Sequence, residues 1–405
     1  MDLLTLNLND NYLHKINIDP ILLNFYNLLC NSKRYVKKKT KTKCFTYKIK
    51  QINNISDIPK SSMNSSQFFP NQIQSYINNN SLYNIYFNCI IKGRNITVNF
   101  IVFHEILSSD LFIINKQIQM IYMWIYILDH FSFKQCSKEI NLYVYFTPFV
   151  KELPNNRLIT INSEHVNTGF TTGCKESTEI VLYRKEEWFK VFIHETFHNF
   201  GLDFSDMNLQ NINKKIKSVF NVNIEYNLYE SYCETWARIW NTMFYSFLSL
   251  SNKIEDKPMY FASKFYKNMK IEAYHSLLQM LKILNFHDLN YKIITNKNPQ
   301  HITTCNHLYS EETSVFSYYI ITGLLINNFP EFISWCNNNN NTILSFKKTP
   351  SNLDKYIDLI KNSTNITGLK KNINIMEDNI ILGRNGIIDQ SLKMTHINMD
   401  KVFAN

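Results

Sequence analysis

The chain has 405 residues, a formal net charge of +10, 45% hydrophobic and 14% aromatic residues, and only 8 Gly and 9 Pro. This composition excludes a disordered, collagen-like or disulfide-scaffold protein and supplies enough apolar material for a large, helix-rich core. The opening residues Met1 to Asn7 have no basic start or long apolar core, and the longest apolar runs (120–128 and 315–326) fall short of the ~20 residues a membrane span needs. A soluble, cytoplasmic, non-secreted protein is therefore expected. The 8 Cys form no Cys-x-x-Cys pair, which predicts free thiols in a reducing compartment. Asn-rich runs such as 337–341 reflect a compositional bias towards Asn, Ile and Lys and carry no functional signal.

In chain order, residues 1–80 read as an N-terminal region with an early helix near Ile21–Leu29, a basic segment and a polar linker or long loop over Asn53–Asn80. The basic segment, Lys33 to Lys50, holds nine Lys or Arg and no acid, with Tyr35, Phe45 and Tyr47 interleaved. It is a candidate for weak nucleic-acid or anionic-surface contact, although an exposed basic loop is the commoner fate of such a run. Residues 81–250 read as the core. Alternating runs at Leu82–Lys92 and Ile96–His104 predict a hairpin, 112–130 a long apolar helix, and Leu142–Phe146 and Glu179–Tyr183 buried strands. Residues 251–405 read as mainly helical, with helices over Phe261–Leu284, Glu311–Asn327 and Phe329–Cys336 and a capped start at Ser310 to Thr313. Short β-like runs follow from about Asn372.

The stretch Glu186 to Gly201 carries His194-Glu195-x-x-His198 between apolar residues. Glu186 and Glu187 predict an acidic first turn facing the helix dipole, and Gly201 a left-handed stop. Residues four apart project from one helical face, so His194 and His198 can meet one zinc ion, with Glu195 beside it as general base for a metal-activated water. The alternative is a pair of buried structural histidines satisfied by polar partners.

Downstream, Glu234-x-x-Ala237 on a second amphipathic stretch, 36 residues after His198, resembles the third-ligand helix of the gluzincins, zinc peptidases with two His and one Glu. The metzincin pattern is disfavoured because Phe204 stands at its third-His position. The resemblance implies an α+β, zincin-like fold with a small twisted sheet, a backing helix and the His-Glu-x-x-His helix, followed by a mainly helical lower subdomain. It implies one Zn2+ per chain on His194, His198 and Glu234, and a zinc endopeptidase (a hydrolase) acting on a peptide or protein substrate. Thermolysin-like members place an Asp four residues after the ligand Glu to orient the first His. Arg238 stands there, leaving Asp203, Asp206 and Glu230 as candidate supports. Gluzincins also use a Tyr or His to stabilise the oxyanion. Tyr318 and Tyr319 are the leading candidates, with Tyr226, Tyr229, Tyr232 and His307 behind them. By chain order, Asn167, Thr168 and Gly169 match the zincin sheet edge on which substrate adds as a strand. The run from Glu186 through Phe204 also resembles uncharacterised metallopeptidase-like proteins of large cytoplasmic DNA viruses, implying host cytoplasm or virion. Two other classes stay open: a non-catalytic, zinc-stabilised virion or assembly component, and a nucleic-acid-binding protein built around the basic segment.

Overall fold

The alternating runs of the first half form one six-stranded mixed sheet in the computed structural model, which describes residues 11, 13, 16–41, 46–63, 66–250, 257–381 and 389–402. Lys43 and Phe45 of the basic segment, and the opening Met1 to Asn7, lie outside these residues. Strand order is β1-β2-β3-β4-β6-β5. The predicted hairpin is β2 (Tyr83–Ile91) and β3 (Arg94–Val102), turned by Lys92 and Gly93. Both turn residues have positive φ (54° and 84°), the mirror-image turn that matches strand twist. β1 (Tyr47–Gln51) adds antiparallel to β2, while β4 (Glu139–Thr147) and β6 (Ser177–Arg184) continue the sheet in parallel. β5 (Gly169–Thr171) closes it as a short antiparallel edge.

Up to Lys41 the basic segment is helical and not a loop. It continues the early helix as α1 (Asp19–Lys41), whose Leu22, Phe25, Leu29 and Val36 are buried against the body, and its end lies on β1. The polar stretch after it contains α2 (Asn71–Asn80), packed beside β4. α3 (Ser108–Leu128) is long and apolar enough to span a membrane by length and composition, extending well beyond the apolar run 120–128. Its residues from Ile118 to Leu128 are instead almost all buried in the core, which accounts for the apolarity.

After α4 (Ser163–Val166) comes α5 (Trp188–Asn199), then α6 (Gln210–Ile216), α7 (Leu228–Leu248) and the 30-residue α8 (Lys257–Phe286). α9 (Tyr291–Thr295) and α10 (Pro299–Leu308) lead to a wide π-type stretch, Phe316–Ile321, running into α11 (Thr322–Ile326). The predicted helix start at Ser310 falls short: Glu311 is instead a buried acceptor for Tyr309 Oη (2.6 Å) and the Phe316 N–H (2.7 Å). α12 (Phe329–Asn339), α13 (Pro350–Ser363) and α14 (Thr367–Ile381) complete the described α-helices, so residues 372–381, where β-like runs were expected, are helical. The chain is α+β.

Residues 389–402 form a strap back across the body. Leu392 N–H donates to Lys151 C=O (2.8 Å) and Leu153 N–H to Gln390 C=O (2.9 Å). Glu272, paired with Arg238 at 3.1 Å, accepts from Thr395 Oγ1 (2.7 Å) and Ile397 N–H (2.8 Å). His275 donates from Nε2 to Lys393 C=O at 2.8 Å. Cys136 and Cys174 form a disulfide, correcting the expectation that every cysteine is free; Cys30, Cys89, Cys233, Cys305 and Cys336 are free thiols. Spacing could not reveal that pair, because the two residues meet only when β4 and β6 pair.

Closing a 38-residue separation restricts the unfolded chain, so Cys136→Ser should lower stability by about 2–4 kcal/mol, with wild type in reductant losing the same amount in urea titrations. Burial pushes the His275 pKa down to about 4 despite nearby Glu272. The unfolded imidazole then binds a proton the folded one refuses, and stability falls as pH drops from ~6.5 towards ~4. His275→Gln should remove about 2 kcal/mol of the stability difference between pH 7 and pH 5.

Candidate metal centre

α5 is enclosed because Trp188, Phe189, Phe192, Ile193 and Phe197 all enter the core. Its far end stops at Gly201 as expected, with φ +65° and no room for a side chain: a Cβ there would lie 3.2 Å from that of Cys174. Its start differs from expectation. Glu187 takes the cap position with left-handed backbone (φ 57°) and makes no capping hydrogen bond. It is buried against Lys151 and the Thr395 N–H, while Glu186 accepts from Lys151 N–H at 2.8 Å. Burial opposes the Glu187 charge, but Lys151 and Lys190 outweigh it and hold its carboxyl below the usual range. These acids anchor the helix to the sheet and strap and are not dipole partners.

The sides of α5 are fixed too. Trp124 Nε1 of α3 donates to Thr196 Oγ1 at 2.8 Å. Asn199 donates from Nδ2 to Thr171 Oγ1 (2.8 Å) and Thr172 C=O (3.1 Å), which ties the helix to edge strand β5. Gly169 permits the close approach: a Cβ there would lie 2.6 Å from Val181 O and 3.2 Å from Val191 Cγ1 of α5.

On this rigid frame the two imidazoles converge, with Nε2 atoms 3.3 Å apart. Glu230 Oε2, from the first turn of α7, lies 3.0 Å from His194 Nε2 and 3.5 Å from His198 Nε2. His194, His198 and Glu230 thus form a largely buried group able to hold a metal ion. Each other ring nitrogen is committed to a carboxylate: His194 Nδ1 to Glu234 Oε2 at 3.1 Å, and His198 Nδ1 to Asp203 Oδ2. With both Nδ1 atoms turned to those carboxylates, both Nε2 atoms face the space beside Glu230, where a metal ion would replace the proton that His194 Nε2 donates to Glu230.

The two glutamates are placed the other way round from the expected arrangement. Glu234 is the orienting carboxylate of His194, and Glu230, one turn earlier, faces the shared space. Lys190, one turn before His194 on the same face, holds both oxygens of Glu234 at 2.9 and 3.0 Å and turns them away from the Nε2 atoms. Burial raises the Glu234 carboxyl, but Lys190 and His194 bring it below its ordinary value. Burial likewise disfavours an imidazolium at His194, yet hydrogen bonds to Glu230 and Glu234 lift its pKa to about 9. The site strongly favours positive charge.

Of the other candidates, Asp203 supports His198 and not His194, and is itself steadied by Ser205 Oγ at 3.1 Å. Asp206 is exposed and pairs with Lys348 at 2.9 Å, outside the site. Cys233 approaches His198 Nδ1 (3.9 Å) and Asp203 (3.8 Å), and burial pushes its thiol well up, towards the neutral form. Glu195, Asn167, Thr168 and Gly169 line a cavity of about 30 Å³ with His194 and Glu234. Tyr318 also lines it, 5.9 Å from the His194 ring. Tyr319 faces elsewhere, donating to Leu392 C=O at 2.7 Å. Tyr226 and Tyr232 donate to Val222 C=O (2.7 Å) and Leu344 C=O (2.8 Å), Tyr229 packs on His198 at 6.0 Å, and His307 is exposed on α10.

Lys190, Lys151 and Met394 also line the cavity and were not singled out in the sequence. Only Lys190 left a signal there, its four-residue spacing from His194. No protein family, curated protein or solved structure matches the chain, so its own geometry must carry the functional argument.

Lys190→Met should cost about 3–5 kcal/mol by stranding Glu234 as an unpaired buried charge, and Lys190→Met combined with Glu234→Gln should recover part of it. Urea titrations of the two variants would measure the difference.

Proposed function

We propose that the chain is a zinc-dependent peptidase of the gluzincin type, with His194, His198 and Glu230 as protein ligands. The observation that carries this reading is the convergence of two Nε2 atoms and one carboxylate oxygen while both Nδ1 atoms are held by other carboxylates. Charge supports it. Glu187, Glu195, Glu230, Glu234 and Asp203 bring five carboxylates to the buried cluster, and among the described residues Lys151 and Lys190 are the lysines or arginines paired directly with them. A divalent ion fits that excess, as buried charge must be paired.

Zinc bound here would supply an acidified water and a Lewis acid for a peptide carbonyl. The protein does the rest. Glu195, on the cavity wall beside His194, accepts the proton of the attacking water at its carboxylate and returns it to the departing amine nitrogen. Tyr318, which also lines the cavity, donates its hydroxyl to the oxygen that gains charge. An extended peptide aligns along β5, just after Thr168, whose hydroxyl is buried without a partner among the described residues.

Metal analysis of purified protein should find one zinc per chain in wild type, little in Glu230→Gln, and an affinity about 10–100-fold weaker in Glu234→Gln. Glu195→Gln should retain the metal and lose about 10²–10⁴-fold in peptide cleavage. Equal cleavage by that variant would rule out the mechanism, and full metal retention in Glu230→Gln would move the third ligand elsewhere.

A further inference from the structure

On the side of the molecule formed by α1, one helical face carries Tyr26, Lys33, Arg34 and Lys37. These residues line a cavity of about 250 Å³ with Phe247, near the end of α7, and Lys257, the first residue of α8. No described carboxylate lines it; the connection 251–256 lies outside the described residues. Lys33 Nζ sits 5.4 Å from the Phe247 ring centre. Partial burial, then repulsion from Lys116 of α3, Lys257 and Lys37, holds Lys33 below the usual lysine value. Cations from three helices thus crowd one place. α8 adds the positive end of a 30-residue helix with no acid in its first turn.

Cations alone, in a lysine-rich chain, would be a solvated face. Here large apolar side chains stand among them. Phe112 and Ile113, in the first turns of α3, are 55% and 38% exposed, and Tyr260, three residues after Lys257, is 52% exposed. Lys116 Nζ lies 5.3 Å from the Phe112 ring. Basic residues that attract phosphates, interleaved with apolar groups reaching outward, are the chemistry of a surface that rests on an anionic bilayer. A compact cavity suits one headgroup better than a polymer that needs a groove.

We propose that this face docks on an anionic lipid surface. Lys33, Arg34, Lys37 and Lys257 receive a phosphate headgroup in the cavity, and Phe112, Ile113 and Tyr260 enter the headgroup–acyl boundary. The site is separate from the metal centre and does not depend on peptidase activity.

The test is co-sedimentation of the full chain with vesicles of phosphatidylcholine alone and of equimolar phosphatidylcholine and phosphatidylserine. Binding is expected only to the mixed vesicles and should weaken as salt rises. Lys33→Gln with Lys37→Gln should weaken it about thirtyfold, at about fivefold per lysine. Phe112→Ser with Tyr260→Ser should also weaken it while leaving circular dichroism unchanged. Absence of binding to mixed vesicles would overturn the proposal. So would binding that ignores the two apolar substitutions and is displaced by single-stranded DNA, which would make the face a nucleic-acid surface.

Discussion

Charge buried inside a protein must be matched, and that requirement organises this molecule. Lys151 pairs with Glu187, which also feels the charge of Lys190, and a chain of polar contacts runs from Lys190 to Glu234, then across His194 and Glu230 to His198 and Asp203. Apart from the partly exposed edge at Glu230 and His198, its members are almost fully buried. Each link restrains the next, because a group that turned away would leave a charge or lone pair without a partner at a cost of several kcal/mol. The histidines are thereby fixed in rotamer and tautomer, and their Nε2 atoms are left pointing at one another.

This ladder also explains why distant parts of the chain contribute to one place. Lys151 follows β4, Lys190 and the histidines lie on α5, and the two glutamates on α7. The 389–402 strap closes the back through the Thr395 N–H on Glu187 and Met394 Sδ, 3.5 Å from Lys190 Nζ. At the other end of α5, Asn199 and Gly201 lock the helix to β5 and to the Cys136–Cys174 disulfide. The edge strand and the histidines are thus held in a fixed relation, which a cleft that orients an extended chain requires.

Much of the fold was legible in sequence where a local signal has one structural reading. The alternating runs on either side of Gly93-Arg94 predicted a hairpin, whose turn falls one residue earlier at Lys92-Gly93; the apolar runs 142–146 and 179–183 predicted buried strands, and Gly201 a helix stop. Reading failed where the decisive partner was remote. The lysines of α1 looked like a loop because charge hid the buried stripe of Leu22, Phe25, Leu29 and Val36 on the opposite face. Glu186 and Glu187 looked like dipole partners because Lys151 and Thr395 are far away in sequence. The two half-cystines likewise meet only through strand pairing.

The site divides in the same way. Helical periodicity by itself determined that His194 and His198 share a face, that Glu195 lies beside them and that Glu230 and Glu234 share another, since 3.6 residues per turn leaves no alternative once both helices form. It could not determine which glutamate meets which nitrogen, because residues four apart present the same face and differ only by a 5–6 Å step along the axis. The register of α7 against α5 decided that. With Lys190 drawing Glu234 onto Nδ1 of His194, only Glu230 is left facing both Nε2 atoms, and that register is set by the packing of the whole core.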